Sequence, residues 1–301
     1  MIESATYLYH GRWARSTMAE YFKSPEAFRT SRDAMKVSYA ARAEAIATAQ
    51  NKAQKTSIIG VYGSIAPRGS WMLELCGGTS VEDLTERLNR AMNDPNVNRI
   101  VFDVYSGGGV SWGILEFGQR LRAARETKKI IAVAQPVAFS AAYWIAAQAG
   151  ELYVGASGEV GSVGAYLVHE DWTAYLEKEG IKVEYITNPD AKVENAPEKA
   201  LTDEARAEAQ AQIDAIYAEF VRELALGRRV SEDHVRANFG GGRTVRAQEA
   251  VAAGMVDGIA DLWDVLFGEA FNEPVNSAQS KTYMDLETER YRLQCAIRGL
   301  R

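Results

Sequence analysis

From Ser57 onward the chain alternates short continuous apolar runs with longer amphipathic stretches. SIIGVYGSI is an apolar run closed by a loop holding Pro67 and Gly69. SVEDLTERLNRAMND follows, with Ser80 placed as an N-cap, Asp83 three residues on, and Leu84, Leu88 and Met92 at helical spacing. RIVFDVYSGGG predicts a buried strand running into glycines, and WGILEFGQRLRAARET a second helix. KIIAVAQPVAF predicts a strand, SAAYWIAAQAG a helix ending at Gly150, and ELYVGASGEVGSVGAY short strands separated by glycines. Thr202 to Leu226 reads as a long helix with Thr202 as N-cap and Gly227 as its stop. Thr244 to Leu262 reads as helix, turn and strand, closing in GMVDGIADL. The apolar strand runs do not alternate with polar residues, which is the pattern of parallel strands covered on both faces. A repeating strand-loop-helix rhythm of this kind predicts an α/β fold.

The flanks have a different texture. Residues 33–55 are Ala-rich and charged, with helical periodicity and no β-branched runs, so residues 1–56 read as a helical N-terminal extension. The central domain is expected over 57–268. Residues 269–301, with Asn272, Pro274 and Asn276 before a charged helical stretch, read as a C-terminal tail. Hydrophobic residues make up 47% of the 301 and charged residues 25%, the balance of a soluble globular protein with ample core. The net charge of -6 argues against a general affinity for nucleic acid, which needs a surplus of Lys and Arg on one face. Cys76 and Cys295 have neither a CxxC spacing nor a neighbouring His, so neither zinc nor a disulfide framework is indicated. The opening residues lack the basic start and apolar core of a secretory signal. The longest apolar candidate, Ile130 to Ala149, is broken by Gln135, Pro136, Ser140 and Gln148, so no membrane anchor is expected.

Three loops carry candidate chemistry. Tyr105-Ser106-Gly107-Gly108-Gly109 directly follows a buried strand, and glycines there let backbone N–H groups approach a ligand. Such a loop either cradles an anion, including the oxyanion of acyl transfer, or makes a tight strand-to-helix turn. It fits neither a Walker loop nor GxGxxG, because Val110, Ser111 and Trp112 follow Gly109. Ser140 lies between a strand and an apolar helix, in Phe139-Ser140-Ala141-Ala142. There it is either an exposed nucleophile before a helix N-terminus or the N-cap that serine usually makes. Lys192 sits in the polar loop Asn188 to Glu194, where lone lysines are nearly always solvated. Of the three histidines, His10 and His234 fall outside the central α/β block. His169 lacks any signature placing it beside Ser140 as the base of a Ser-His-Asp triad.

Taken together, these segments resemble the S49 peptidases, the signal-peptide-peptidase-type family with the ClpP/crotonase-like fold. RIVFDVYSGGGV resembles that family's strand and SPGG-type loop, and VAFSAAYWIAAQAGELYVGASGEVGSVGAY its nucleophile segment, with Gly161-Ser162-Val163-Gly164 in place of TGS-(I/V)-G. The stretch from AYLEKEG to AEFV resembles the segment bearing the catalytic lysine, and GRTVRAQEAVAAGMVDGIADL the closing stretch. The resemblance runs from about Ser57 to Leu262 and rests on the order and spacing of these motifs. It implies a parallel sheet with flanking helices, Ser140 as nucleophile and Lys192 as general base. It also implies an oxyanion hole from the N–H groups of Gly108, with Gly109 beside it, and Ala141. No cofactor is implied, and a homo-oligomer is, with residues 1–56 and 202–226 as candidate contacts. A small residue is implied at the cleaved position.

Two positions depart from the family pattern. Gly107 stands where proline is usual, and Ala141-Ala142 replaces Gly-Gly, which should narrow the space beside Ser140. The extra segments at both ends and the lack of an anchor resemble the phage branch, the head-maturation proteases. That branch implies scaffold and capsid proteins as partners and the host cytoplasm or prohead as the location. Three alternatives stay open. One is a catalytically inactive capsid or scaffold component of the same fold, one a soluble host-type protease, and one a crotonase-type acyl-CoA enzyme needing neither Ser140 nor Lys192.

Overall fold

The structure, a computed structural model, describes residues 2–3 and 56–271. The helix expected over 33–55, His10, Cys295 and the stretch from 272 onward lie outside the described residues. The strands are β1 (Ile2–Glu3), β2 (Thr56–Ala66), β3 (Thr79–Ser80), β4 (Arg99–Gly109), β5 (Lys129–Phe139), β6 (Glu151–Val154), β7 (Glu159–Gly161), β8 (Tyr166–Leu167), β9 (Thr244–Arg246) and β10 (Gly258–Ile259). The helices are α1 (Trp71–Leu75), α2 (Val81–Asn93), α3 (Ile114–Ala124), α4 (Ala141–Ala146), α5 (Thr173–Lys178), α6 (Asp203–Arg228), α7 (Glu232–Asn238), α8 (Ala247–Ala252) and α9 (Leu262–Phe271).

The main sheet runs in the order β10-β6-β5-β4-β2-β3, parallel throughout, with β7 beside the far end of β5 and β9 antiparallel to β7. Both faces of its centre are covered. Ile100, Phe102 and Val104 of β4 pack with Phe117, Leu121 and α4 on one face. Val101, Ile131 and Val133 pack against Leu262 and Val265 of α9 on the other. This double cover is why the runs in β4 and β5 are continuous rather than alternating. It also makes α9 continuous across the boundary expected near residue 268.

Local signals set the helix starts. The Ser80 hydroxyl accepts from the Asp83 N–H at 3.1 Å, and Thr202 from the Ala205 N–H at 3.2 Å. Gly227 does not stop α6. It lies inside the helix, where a Cβ would stand 2.5 Å from the Ala147 carbonyl oxygen, so this glycine serves close packing onto the turn after α4. The stop is Arg229, in the left-handed region at φ 59°. The helix expected up to Gly150 is shorter: α4 ends at Ala146, and the N–H groups of Gln148 and Ala149 bond three residues back, to Ile145 and Ala146.

A buried polar clamp joins α3, α4 and α6. The Arg122 guanidinium donates to the Glu223 carboxylate at 2.7 Å and to the Gln148 side-chain oxygen, while the Gln148 amide donates to the carbonyls of Trp144 and Glu223. Beside it Trp144 stacks on Phe220, ring centroids 4.5 Å apart. Glu223 and Gln148 are almost fully buried, so this network fixes α6 on α4.

Candidate active site

β4 and β5 both depart from regular pairing near their C-terminal ends. The register between β2 and β4 shifts at Tyr62/Ser64, and that between β4 and β5 shifts at Val104/Ser106. β5 pairs with β6 up to Ala134, then with β7 from Val137 to Phe139. The sheet therefore splits at its C-terminal edge, where parallel α/β sheets open a crevice for ligands. The segment read as a glycine loop is the bulged end of β4. It remains strand because Gly108 and Gly109 pair with Ser64 and Ile65 of β2, and Ser106 with Ala138 of β5.

Ser140 follows the last residue of β5. Its φ and ψ are 51° and -125°, a region that costs a non-glycine residue about 1–3 kcal/mol. Its N–H donates to the Gly161 carbonyl at 2.8 Å, and its carbonyl accepts from Trp144 at 2.9 Å. Although it occupies the N-cap position of α4, its side chain makes no capping hydrogen bond, so the ordinary role of a serine at this place is not the one it fills. Four constraints hold the strained turn. α4 behind it is buried on every side, Tyr143 is anchored by its hydroxyl to the Met255 carbonyl at 2.9 Å, Gly161 holds the Ser140 N–H, and Gly108 presses on it from the front. A Cβ on Gly108, whose φ is 100°, would lie 2.7 Å from the Ser140 Cβ and 2.8 Å from the Phe139 oxygen. Burial raises the Tyr143 phenol pKa, and the nearby Arg228 guanidinium only partly opposes it.

Ser140 opens onto a cleft of about 320 Å³ of atom-free space, part of it open to solvent. Its lining includes Gly109, Ala141, Gly164 and Ala165, with Trp144, Ile216 and Phe220 making an apolar wall. Ser140 itself is 4% exposed. The Ala141 N–H, first in α4, has no partner within the helix. The Gly108 N–H is engaged: it donates to the Ser106 hydroxyl oxygen at 3.0 Å, and that hydroxyl donates to the Gly63 carbonyl at 2.6 Å.

The structure thus brings together Ser140, Gly108, Gly109 and Ala141, and it does not bring Lys192 to them. Lys192 lies in a short 3-10 turn, Asp190–Val193, is exposed, and is absent from the lining of the cleft. Its ammonium has no partner among the described residues. His169 is also outside the lining, and His234 bonds through Nε2 to the Ala253 carbonyl at 2.9 Å. Among the described residues no three His, Cys, Asp or Glu side chains converge as a metal site. Sequence reading missed Ser106 as the lock on Gly108, Gly161 as the acceptor of the Ser140 N–H, and Ile216 and Phe220 as the cleft wall. The signal for the last two was present: they sit four apart, on one face of α6.

A mostly parallel sheet covered on both faces by helices is an α/β fold, and Ser140 sits at a strained strand-to-helix turn on its C-terminal edge. Residues 122–268, which include Ser140 and Lys192, match the model of peptidase family S49. It is 27% identical over 214 residues to the "Capsid assembly protease C" of Escherichia phage lambda, covering 70% of this chain and 47% of that one. It is 25% identical over 210 residues to the "Head-tail preconnector protein GP5" of Enterobacteria phage P21, covering 70% and 42%. To a "Putative signal peptide peptidase SppA" of Enterococcus faecium it is 24% identical over 212 residues, covering 69% and 60%. The chain spans about half the length of the curated relatives it matches. Among solved structures, a mutant of the 1510-N membrane-bound stomatin-specific protease aligns with a TM-score of 0.46 at 13% identity, over 70% of this chain and 83% of that one. No helix among the described residues is long and apolar enough to cross a membrane.

Proposed function

We propose that the chain is a serine endopeptidase in which Ser140 is the nucleophile and Lys192 the general base, acting on scaffold and capsid proteins of an assembling phage head. The observation that carries this reading is Ser140 itself: a strained serine beside a cleft, its side chain unused as a cap. The Ser140 hydroxyl attacks a peptide carbonyl while the neutral amine of Lys192 takes its proton, and the same proton then passes to the leaving amine. Water attacks the acyl-enzyme and restores the hydroxyl. The oxyanion rests on the N–H of Ala141 and on that of Gly108, once Ser106 releases it, or of Gly109; each donor is worth about 3 kcal/mol in the transition state. A lysine ordinarily titrates near pH 10.4, so a base needs a dry, positively biased place. The segment 188–194 must therefore come onto the cleft during the reaction. The names of the phage relatives support the choice of substrates.

A second reading, an inactive capsid component, is favoured by the exposure of Lys192 and the engagement of the Gly108 N–H. Reaction with a fluorophosphonate probe, read by mass spectrometry across a pH series, separates the two. Labelling at Ser140 that rises with pH and is lost in Ser140→Ala and Lys192→Ala supports the dyad. Wild-type labelling no faster than Ser140→Ala establishes the inactive component, and undiminished labelling of Lys192→Ala removes the lysine from the mechanism.

A further inference from the structure

Between β8 and α6 the chain leaves the body of the domain as an arm, and the most exposed large apolar residue among those described, Ile186, lies there. Residues 181–186 read Ile-Lys-Val-Glu-Tyr-Ile, with strict alternation of apolar and charged side chains from Ile181 to Tyr185. That is the pattern of a half-buried strand. The structure leaves it exposed and unpaired: Ile181, Val183 and Ile186 are 52%, 47% and 98% accessible. No described residue donates to or accepts from the backbone of residues 182–186. The segment is nonetheless tethered at its ends. The Ile181 N–H donates to the Leu176 carbonyl at 2.9 Å, and the Tyr185 hydroxyl donates to the Glu198 carboxylate. The Trp172 N–H donates to the Pro197 carbonyl at 2.8 Å and closes the root of the arm.

We infer that this segment pairs antiparallel with the same segment of a second copy of the chain, about a two-fold axis through Val183. The sequence is self-complementary in that register alone. Val183 faces the partner's Val183, and Ile181 faces the partner's Tyr185, so the apolar side chains share one face. On the other face Lys182 stands opposite the partner's Glu184, and the symmetry repeats this ion pair. A one-residue slip in either direction would set Val183 against Lys182 or Glu184 and lose both ion pairs. Opposite charges directly across an antiparallel ladder stabilise it and like charges destabilise it, which supplies the register. A two-fold, isologous contact of this kind closes on itself, so it caps the bare edge rather than propagating it. Trp172 and Tyr175, exposed on the same arm, supply further apolar surface beside the ladder. The pairing stands apart from the dyad, although it would also fix the root of the turn that carries Lys192.

The test is the oligomeric state of the full chain by light scattering and sedimentation, with circular dichroism confirming that each variant is folded. Wild type is expected to associate in even numbers. Lys182→Glu and Glu184→Lys each place like charges across the ladder twice and should weaken the association about tenfold. The double exchange Lys182→Glu/Glu184→Lys restores opposite charges and should recover it. Val183→Pro, which removes an N–H from an exposed position, should abolish the pairing and leave the fold intact. Association that is indifferent to all four variants overturns the inference. So does a single exchange that weakens association without rescue by the double. A Val183→Pro variant that changes peptide turnover and not association would assign the edge to substrate instead.

Discussion

Ser140 and the arm that carries Lys192 are built on opposite principles. Around Ser140 the backbone is fixed from every side: Gly161 holds its N–H, Gly108 leaves no room for a Cβ before the Ser140 Cβ, and the six residues of α4 behind it are buried. Along residues 181–192 almost nothing is fixed by the body of the domain, and the side chains face solvent. The proposed nucleophile is thus placed by the fold, as a consequence of packing that the sheet needs in any case. The proposed base is placed by whatever the arm meets. If the two act in one reaction as proposed, control over it is exerted at the arm.

Three substitutions probe that contrast, beginning with the largest effect. Gly108→Ala combines a left-handed φ with contacts below 3 Å to the Ser140 Cβ and the Phe139 oxygen. It should lower stability by about 4 kcal/mol, from backbone strain and overpacking together. Denaturant unfolding measures the loss, and an unchanged midpoint would show that the elbow is less constrained than described. Next, Asp257 anchors the far end of α6, accepting from Arg228 through both oxygens at 2.9 Å and from the Leu152 N–H at 2.7 Å. Burial pushes its pKa up, but the Arg228 hydrogen bonds and charge, the Leu152 N–H and Arg229 outweigh it and hold the carboxyl below its ordinary value. The contribution is therefore complete above the unfolded pKa of about 3.9 and fades as pH falls through the lower folded value. Asp257→Asn should cost about 1 kcal/mol at neutral pH, reduced for the exposure of this carboxylate, with the difference from wild type shrinking in acid. Thermal unfolding at pH 7 and pH 3 reads both. Last, Lys192→Ala should leave stability within about 0.5 kcal/mol of wild type, as expected for an exposed side chain without partners. A larger loss in melting experiments would mean that the arm is held by contacts the comparison denies it.

What the sequence made legible follows the same division. β4 and β5 were readable because burial on both faces leaves an unbroken apolar run, and α2 and α6 because Ser80 and Thr202 are caps that hydrogen-bond as caps. Ser140 was ambiguous, since one side-chain hydrogen bond distinguishes a cap from a nucleophile and no spacing encodes it. Gly227 misled because a glycine near a helix end serves equally as a stop or as a close contact, and only the Ala147 carbonyl against it decides. The lock on Gly108 by Ser106 depends on two register shifts in neighbouring strands, which are properties of the sheet and not of either strand's sequence. Family resemblance linked Lys192 to Ser140, and nothing local to Lys192 would have done so.

The unequal burial of α6 has a mechanical side. Its C-terminal third, from Phe220, is clamped by Glu223, Leu224 and Gly227, while most of Asp203 to Glu219 faces solvent. At ~1.5 Å per residue this largely solvent-facing part extends ~25 Å beyond the clamp, with only Ala205 buried near its start, and the arm joins at its far end. A rod hinged at one end amplifies rotation into travel: a tilt of ~10° about the clamp carries the arm's attachment ~4 Å. The separation between Lys192 and Ser140 is in this sense geared to the angle of one helix, and a force too weak to disturb the core could still change it.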